Sequence, residues 1–127
     1  MDNWTSKKIL IVDDDESMRH LTETILSANN FSIIQAADGW QALEMLKTHK
    51  LDLIITDLMM PQLNGYELIE KIRADPETKN IPIILVTSKS DPDDISCGYH
   101  EHKVEYYITK PFSNQQLMAG IRLVLGD

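Results

Sequence analysis

Four places in this 127-residue sequence carry side chains that could act together: Asp13-Asp14-Asp15, Asp57, Thr87-Ser88 and Lys110-Pro111. Each stands at or just beyond the end of a short apolar run. If Asp13, Asp14 and Asp57 meet, three carboxylates are crowded together. Like charges at that range repel and raise one another's pKa unless a cation joins them. Lys110 supplies one positive charge, and a hard divalent ion would supply more. A few carboxylates plus water suit Mg²⁺, with Mn²⁺ as a substitute, better than zinc, which prefers Cys and His. No His belongs to the set. Carboxylate, divalent cation, lysine and hydroxyl are together the parts of a phosphoryl-transfer site. Metal and lysine neutralise charge on the phosphoryl oxygens, and a carboxylate can attack phosphorus and carry the group covalently.

Taken singly, the pieces have plain explanations. Asp15 reads as the N-cap of a first helix, where Asp is favoured, and has no catalytic role. Asp13 and Asp14 would also serve as capping and turn residues. Thr87 is a good strand residue, and Lys110 would do as a solvated loop lysine. Asp57 is harder to dismiss, because it follows Leu53-Ile54-Ile55-Thr56, and a carboxylate ending a buried strand is costly unless something binds it. The joint placement at four run ends carries the weight.

The elements that would position these residues follow from patterning. Five short apolar runs recur: 8–12, 31–35, 53–56, 83–87 and 106–108. Runs apolar on both faces read as buried parallel strands. Between them lie helical spacings: Met18, Leu21 and Ile25; Trp40, Leu43 and Leu46; Ile69 and Ile72; and, after the fifth run, Leu117, Ile121 and Val124. Asp91-Pro92-Asp93-Asp94 reads as a weaker helix start, with only Ile95 and Tyr99 as an apolar side. Strand alternating with helix predicts an α/β domain whose parallel sheet is covered on both faces. Ligands of such sheets bind beyond the carboxyl ends of the strands, where strand order reverses. All four candidate positions are thereby expected on one edge.

Composition excludes several classes. The net charge is −8, against a surface that binds nucleic acid or an anionic membrane through clustered Lys and Arg. Apolar runs are far shorter than a membrane span, and residues 1–4 lack a signal-peptide pattern. The single cysteine, Cys97, forms no internal disulfide and fits a reducing compartment. The expectation is a cytoplasmic, one-domain protein over residues 1–127, with its core at about 7–126.

The sequence resembles response-regulator receiver domains, the CheY-like family of two-component signal transduction. The resemblance rests on 9–15 (Ile-Leu-Ile-Val-Asp-Asp-Asp), 55–61 (Ile-Thr-Asp-Leu-Met-Met-Pro) with Asn64-Gly65, 85–88 (Leu-Val-Thr-Ser) and 107–112 (Tyr-Ile-Thr-Lys-Pro-Phe). It implies a doubly wound (βα)5, flavodoxin-like three-layer sandwich with a five-stranded parallel sheet of order 2-1-3-4-5. It implies that Asp57 is the phosphoacceptor, and that Asp14, Asp57 and the Met59 carbonyl ligate Mg²⁺, with Asp13 acting through a metal-bound water. Lys110 would pair with the acceptor and then with the phosphoryl group. Thr87 would bond a phosphoryl oxygen, Tyr107 would be the aromatic switch, and the Lys110-Pro111 bond would be cis.

The donor would be a sensor histidine kinase or a phosphotransfer protein. The output would be a changed surface of the fourth helix, fifth strand and fifth helix, offered to a downstream partner by a monomer or weak dimer. Such a domain turns over no external substrate; it catalyses only its own phosphorylation and dephosphorylation. Two alternatives stand beside this. One is a pseudo-receiver that binds protein without phosphate. The other is an aspartyl phosphatase, which would want a second Asp where Met59 stands. The sequence departs from the family at Lys103-Val104, where many members carry a small Gly-Ala pair, so the fourth helix is expected to end irregularly. Gln116 and Ala119-Gly120 replace the residues of a dimer mode used by receivers attached to winged-helix domains. The chain is either a complete regulator or the receiver of a longer protein.

Overall fold

The computed structural model describes residues 7–58, 60–87 and 104–126. The strands are β1 (Lys8–Val12), β2 (Ser32–Ala36), β3 (Leu53–Asp57), β4 (Ile83–Thr87) and β5 (Tyr106–Thr109). The helices are α1 (Glu16–Ser27), α2 (Gly39–Thr48), α3 (Gly65–Ala74) and α4 (Asn114–Leu125), the last corresponding to the fifth helix expected from the sequence. The expected helix after Thr87, its Lys103 end, Cys97 and Met59 lie outside the described residues.

The sheet is parallel throughout and runs β2-β1-β3-β4-β5, which is the flavodoxin-like order. β3 and β4 are buried along their whole length, as their unbroken apolar runs require, whereas the edge strands β2 and β5 are partly exposed. Successive strand side chains point to opposite faces, so the core forms two layers. Leu10, Ile54 and Leu85 pack with Leu68, Ile69 and Ile72 of α3 on one face. Ile9, Ile11 and Ile84 pack with Ile25 and Leu26 of α1 and Leu117 and Ile121 of α4 on the other. With the sheet between them, the helix layers complete a three-layer sandwich.

Three expectations are corrected. β2 begins at Ser32, one residue later than the start of the apolar run at Phe31. The Phe31 N–H donates to Leu26 O, closing the end of α1, and its ring is buried as a loop residue. In α1, Leu21 is 47% exposed while Thr22 is buried with Ile25 and Leu26. The buried stripe is therefore Thr22, Ile25 and Leu26, with Met18 half-buried. In α2, Trp40 is 52% exposed. The start of that helix lies hard against Leu63, where even a Cβ at Gly39 would come within 2.7 Å, so the indole turns outward and Lys71 sits 5.5 Å from its centroid. Ala42, Leu43 and Leu46 make the core contact instead.

Helix starts match their caps. Asp15 accepts from the N–H groups of Ser17 and Met18, as expected. Asp38 caps α2, and Asn64 with Glu67 and Ser113 with Gln116 form capping boxes on α3 and α4.

Candidate functional site

Backbone pairing brings the strand ends level. Beyond β1, the Asp13 N–H donates to Ala36 O at 3.2 Å; beyond β3, Leu58 N–H donates to Val86 O at 2.9 Å; beyond β5, Lys110 N–H donates to Thr87 O at 2.7 Å. β1 has β2 on one side and β3 on the other, so the chain reverses its winding there. That is where a doubly wound sheet opens a binding crevice.

Asp13 and Asp57 are buried at this edge and Asp14 is exposed. One carboxylate oxygen from each of the three lies within 4.8 Å of the others. The Lys110 ammonium reaches in from the end of β5. It hydrogen-bonds Asp13 Oδ2 at 3.0 Å and stands 3.5 Å from Asp57 Oδ2. Lysine is thus held first by Asp13 and only secondarily by Asp57. Asp13 Oδ1 accepts from the Asp15 N–H at 2.9 Å.

The electrostatics follow from burial. Desolvation, helped by the charge of Asp13, raises the Asp57 pKa to about 6, although Lys110 and the Leu58 N–H oppose it. For Lys110, burial works against the charged form, but the hydrogen bond to Asp13 and the charges of Asp13 and Asp57 outweigh it and the pKa rises. One lysine therefore leaves the carboxylates under-neutralised. The donor set is all oxygen, part buried and part open to solvent, and fits a hard divalent cation.

Thr87 ends β4 and is fully buried. Tyr107 and Tyr106 point to opposite faces, as adjacent strand residues must. Tyr107 packs against the α2–α3 layer and Tyr106 against the α1–α4 layer. Gly120 lets α4 approach the Tyr106 ring, which a Cβ there would meet at 2.7 Å. The Lys110-Pro111 bond is cis, as the resemblance implied. The Met59 carbonyl falls outside the described residues.

Two residues near the site escape a reading of residue types. Gly65 opens α3 directly against β3, and a Cβ there would lie 2.6 Å from Asp57 O. Its N–H donates to Leu58 O at 2.9 Å. The sequence signal was the Asn64-Gly65 pair, a cap followed by a residue with no side chain. Arg19 of α1 donates to Asp13 O at 2.7 Å and to Gln35 Oε1 at 3.3 Å. An exposed-looking helix arginine gives no such hint.

The sequence model of the response regulator receiver domain matches residues 9–122. The chain belongs to the response regulator receiver domain family. Among curated relatives, this receiver domain is 42% identical over 119 residues to the probable transcriptional regulator ycf27 of Porphyridium aerugineum, covering 94% of the chain and 48% of the relative. It is 39% identical over 118 residues to the response regulator ArlR of Staphylococcus aureus, covering 93% and 52%. The chain thus spans about half the length of these curated relatives. Among solved structures, the Vibrio cholerae chemotaxis protein CheY4 superposes with a TM-score of 0.90 at 29% identity, over 94% of this chain and 99% of that one. A response regulator of Chloroflexus aurantiacus gives 0.90 at 30% identity, over 96% and 99%. The receiver domain belongs to two-component signalling. Among the described residues no helix is long and apolar enough to cross a membrane.

Proposed function

We propose that this receiver domain is a phosphoacceptor switch in which Asp57 takes a phosphoryl group from the phosphohistidine of a sensor histidine kinase or a phosphotransfer protein. The observation that carries the reading is the buried Asp57 carboxylate, with Lys110 Nζ at 3.5 Å and oxygens of Asp13 and Asp14 within 4.8 Å. A carboxylate oxygen of Asp57 attacks phosphorus, the P–N bond breaks, and the imidazole leaves carrying a proton. An acyl phosphate remains on Asp57. Attack of water at phosphorus then breaks the O–P bond and returns the carboxylate and inorganic phosphate.

Asp13, Asp14 and Asp57 would hold Mg²⁺, with the Met59 carbonyl as the family's further ligand. Bound there, the cation supplies charge neutralisation at the phosphoryl oxygens. Lys110 supplies the protein's own positive charge, and Thr87 a hydroxyl donor from the end of β4. A phosphoryl group adds about two negative charges and draws Lys110 away from Asp13. Lys110 N–H is bonded to Thr87 O, so the ends of β4 and β5 respond together. Tyr107, half-buried on β5, is the side chain placed to report that movement. The surface a downstream protein would read is that of β5 and α4, together with the fourth helix expected from the sequence.

Incubation with acetyl phosphate and Mg²⁺, followed by intact mass, tests this. One phosphoryl adduct is expected, and EDTA should prevent it. A chain that stays unmodified with several phosphodonors would instead support the pseudo-receiver reading.

A further inference from the structure

We infer that Arg19 is a positioning residue for the cation-binding carboxylates, acting by clamping the peptide plane between Asp13 and Asp14. The inference rests on the metal reading of the acidic site given above. Its basis is a set of contacts around one residue. The Asp13 N–H is held by Ala36 O, its Oδ2 by Lys110 and its Oδ1 by the Asp15 N–H. The remaining acceptor, the Asp13 carbonyl, is taken by Arg19 Nη1 at 2.7 Å. A second nitrogen of the same guanidinium, Nε, donates to Gln35 Oε1 on β2.

The peptide unit is planar. Fixing the Asp13 carbonyl therefore fixes the direction of the Asp14 N–H and the point from which the Asp14 side chain leaves the backbone. Asp14 is the exposed member of the carboxylate group, and among the described residues no hydrogen bond or ion pair holds its own carboxylate in place. Its placement thus depends on the turn that carries it. The guanidinium suits the task because it is planar and rigid and can meet two acceptors at once. It joins α1, β2 and the end of β1 at one point.

Charge and geometry predict opposite signs here, which makes the inference testable. Arg19 is a cation beside a site for a dication. By Coulomb repulsion alone its removal would tighten Mg²⁺ binding. By the clamp its removal weakens binding, by about ten- to a hundredfold if it behaves as other supports of ligand residues do.

The experiment is a Mg²⁺ titration by calorimetry on the folded chain and its R19A, R19K and Q35A variants. NMR amide exchange at Asp15 in EDTA accompanies it. R19A and R19K should both bind Mg²⁺ more weakly, because lysine restores the charge but cannot bridge Asp13 O and Gln35. Q35A, which changes no charge and lies on the half-exposed edge strand, should weaken binding less and serves if R19A fails to fold. The Asp15 amide should exchange faster in R19A without metal. Binding as tight as or tighter than wild type in the arginine variants, or unchanged Asp15 exchange, would overturn the inference. If the wild-type chain binds no Mg²⁺, the metal reading fails instead, and the metal-free exchange still decides whether Arg19 sets the turn.

Discussion

Asp57 is held in an environment that disfavours its charge. Its pKa is raised from 3.8 to about 6, first by burial and then by Asp13. Between those values the folded chain binds more protons than the unfolded one, so stability falls as pH rises through the window. Above about pH 6 the ionised carboxylate costs stability, of order 1–3 kcal/mol from the size of the shift. Asp57→Asn, which removes the charge at nearly constant shape, should stabilise the metal-free domain by that order at pH 7.5. The gain should shrink as pH falls from about 6 towards 3.8 and vanish below that, where the wild-type carboxyl is protonated in both states. Urea unfolding in EDTA over this pH range measures this, and equal stability of the two proteins at pH 7.5 would contradict it. Asp13, Asp57 and Lys110 were legible in the sequence because each is polar at the end of an apolar run. Arg19 was not, because its partner is a backbone carbonyl whose position depends on how α1 docks. The Lys110 preference for Asp13 over Asp57 is likewise a matter of reach, visible only once β5 is placed.

At the scale of elements, β1, β3 and β4 were legible because a strand buried on both faces must be apolar without interruption. Helix faces were less so. Leu21 and Trp40 carry the right residue type but sit on the outer side, because α1 turns Thr22 inward and α2 starts too close to Leu63 to seat an indole. Ile25→Ala should therefore cost about 2–4 kcal/mol, a buried-core loss, whereas Leu21→Ala should cost within about 1 kcal/mol. Chemical denaturation of the pair checks the assignment, and equal losses would reject it. Gly65 marks a close approach of an element to the site. Gly65→Ala forces a methyl against Asp57 O and should destabilise by about 1–3 kcal/mol. It should also slow modification by acetyl phosphate, since relief of the clash must move either α3 or the end of β3 that carries Asp57. A Gly65→Ala protein with wild-type midpoint and rate would show that the close approach is immaterial.

Across the whole molecule, parallel topology turns four distant sequence positions into one carboxylate-rich edge with a single lysine. A cation bound there couples site and fold. Mg²⁺ should raise the unfolding free energy by about 2.7 kcal/mol at a concentration one hundred times its Kd, and should erase the advantage of Asp57→Asn. Thermal unfolding across a Mg²⁺ series reads this, and a midpoint independent of Mg²⁺ would count against a metal site.

The most direct test of the account is to locate the phosphoryl group. After reaction with acetyl phosphate and Mg²⁺, reduction with borohydride converts an aspartyl phosphate to homoserine, and peptide mass mapping finds the altered residue. Conversion is expected at Asp57 alone and is expected to be absent in Asp57→Asn. Conversion at Asp13 or Asp14 in the wild-type chain, or a stable phosphoryl group elsewhere that survives Asp57→Asn, would contradict it.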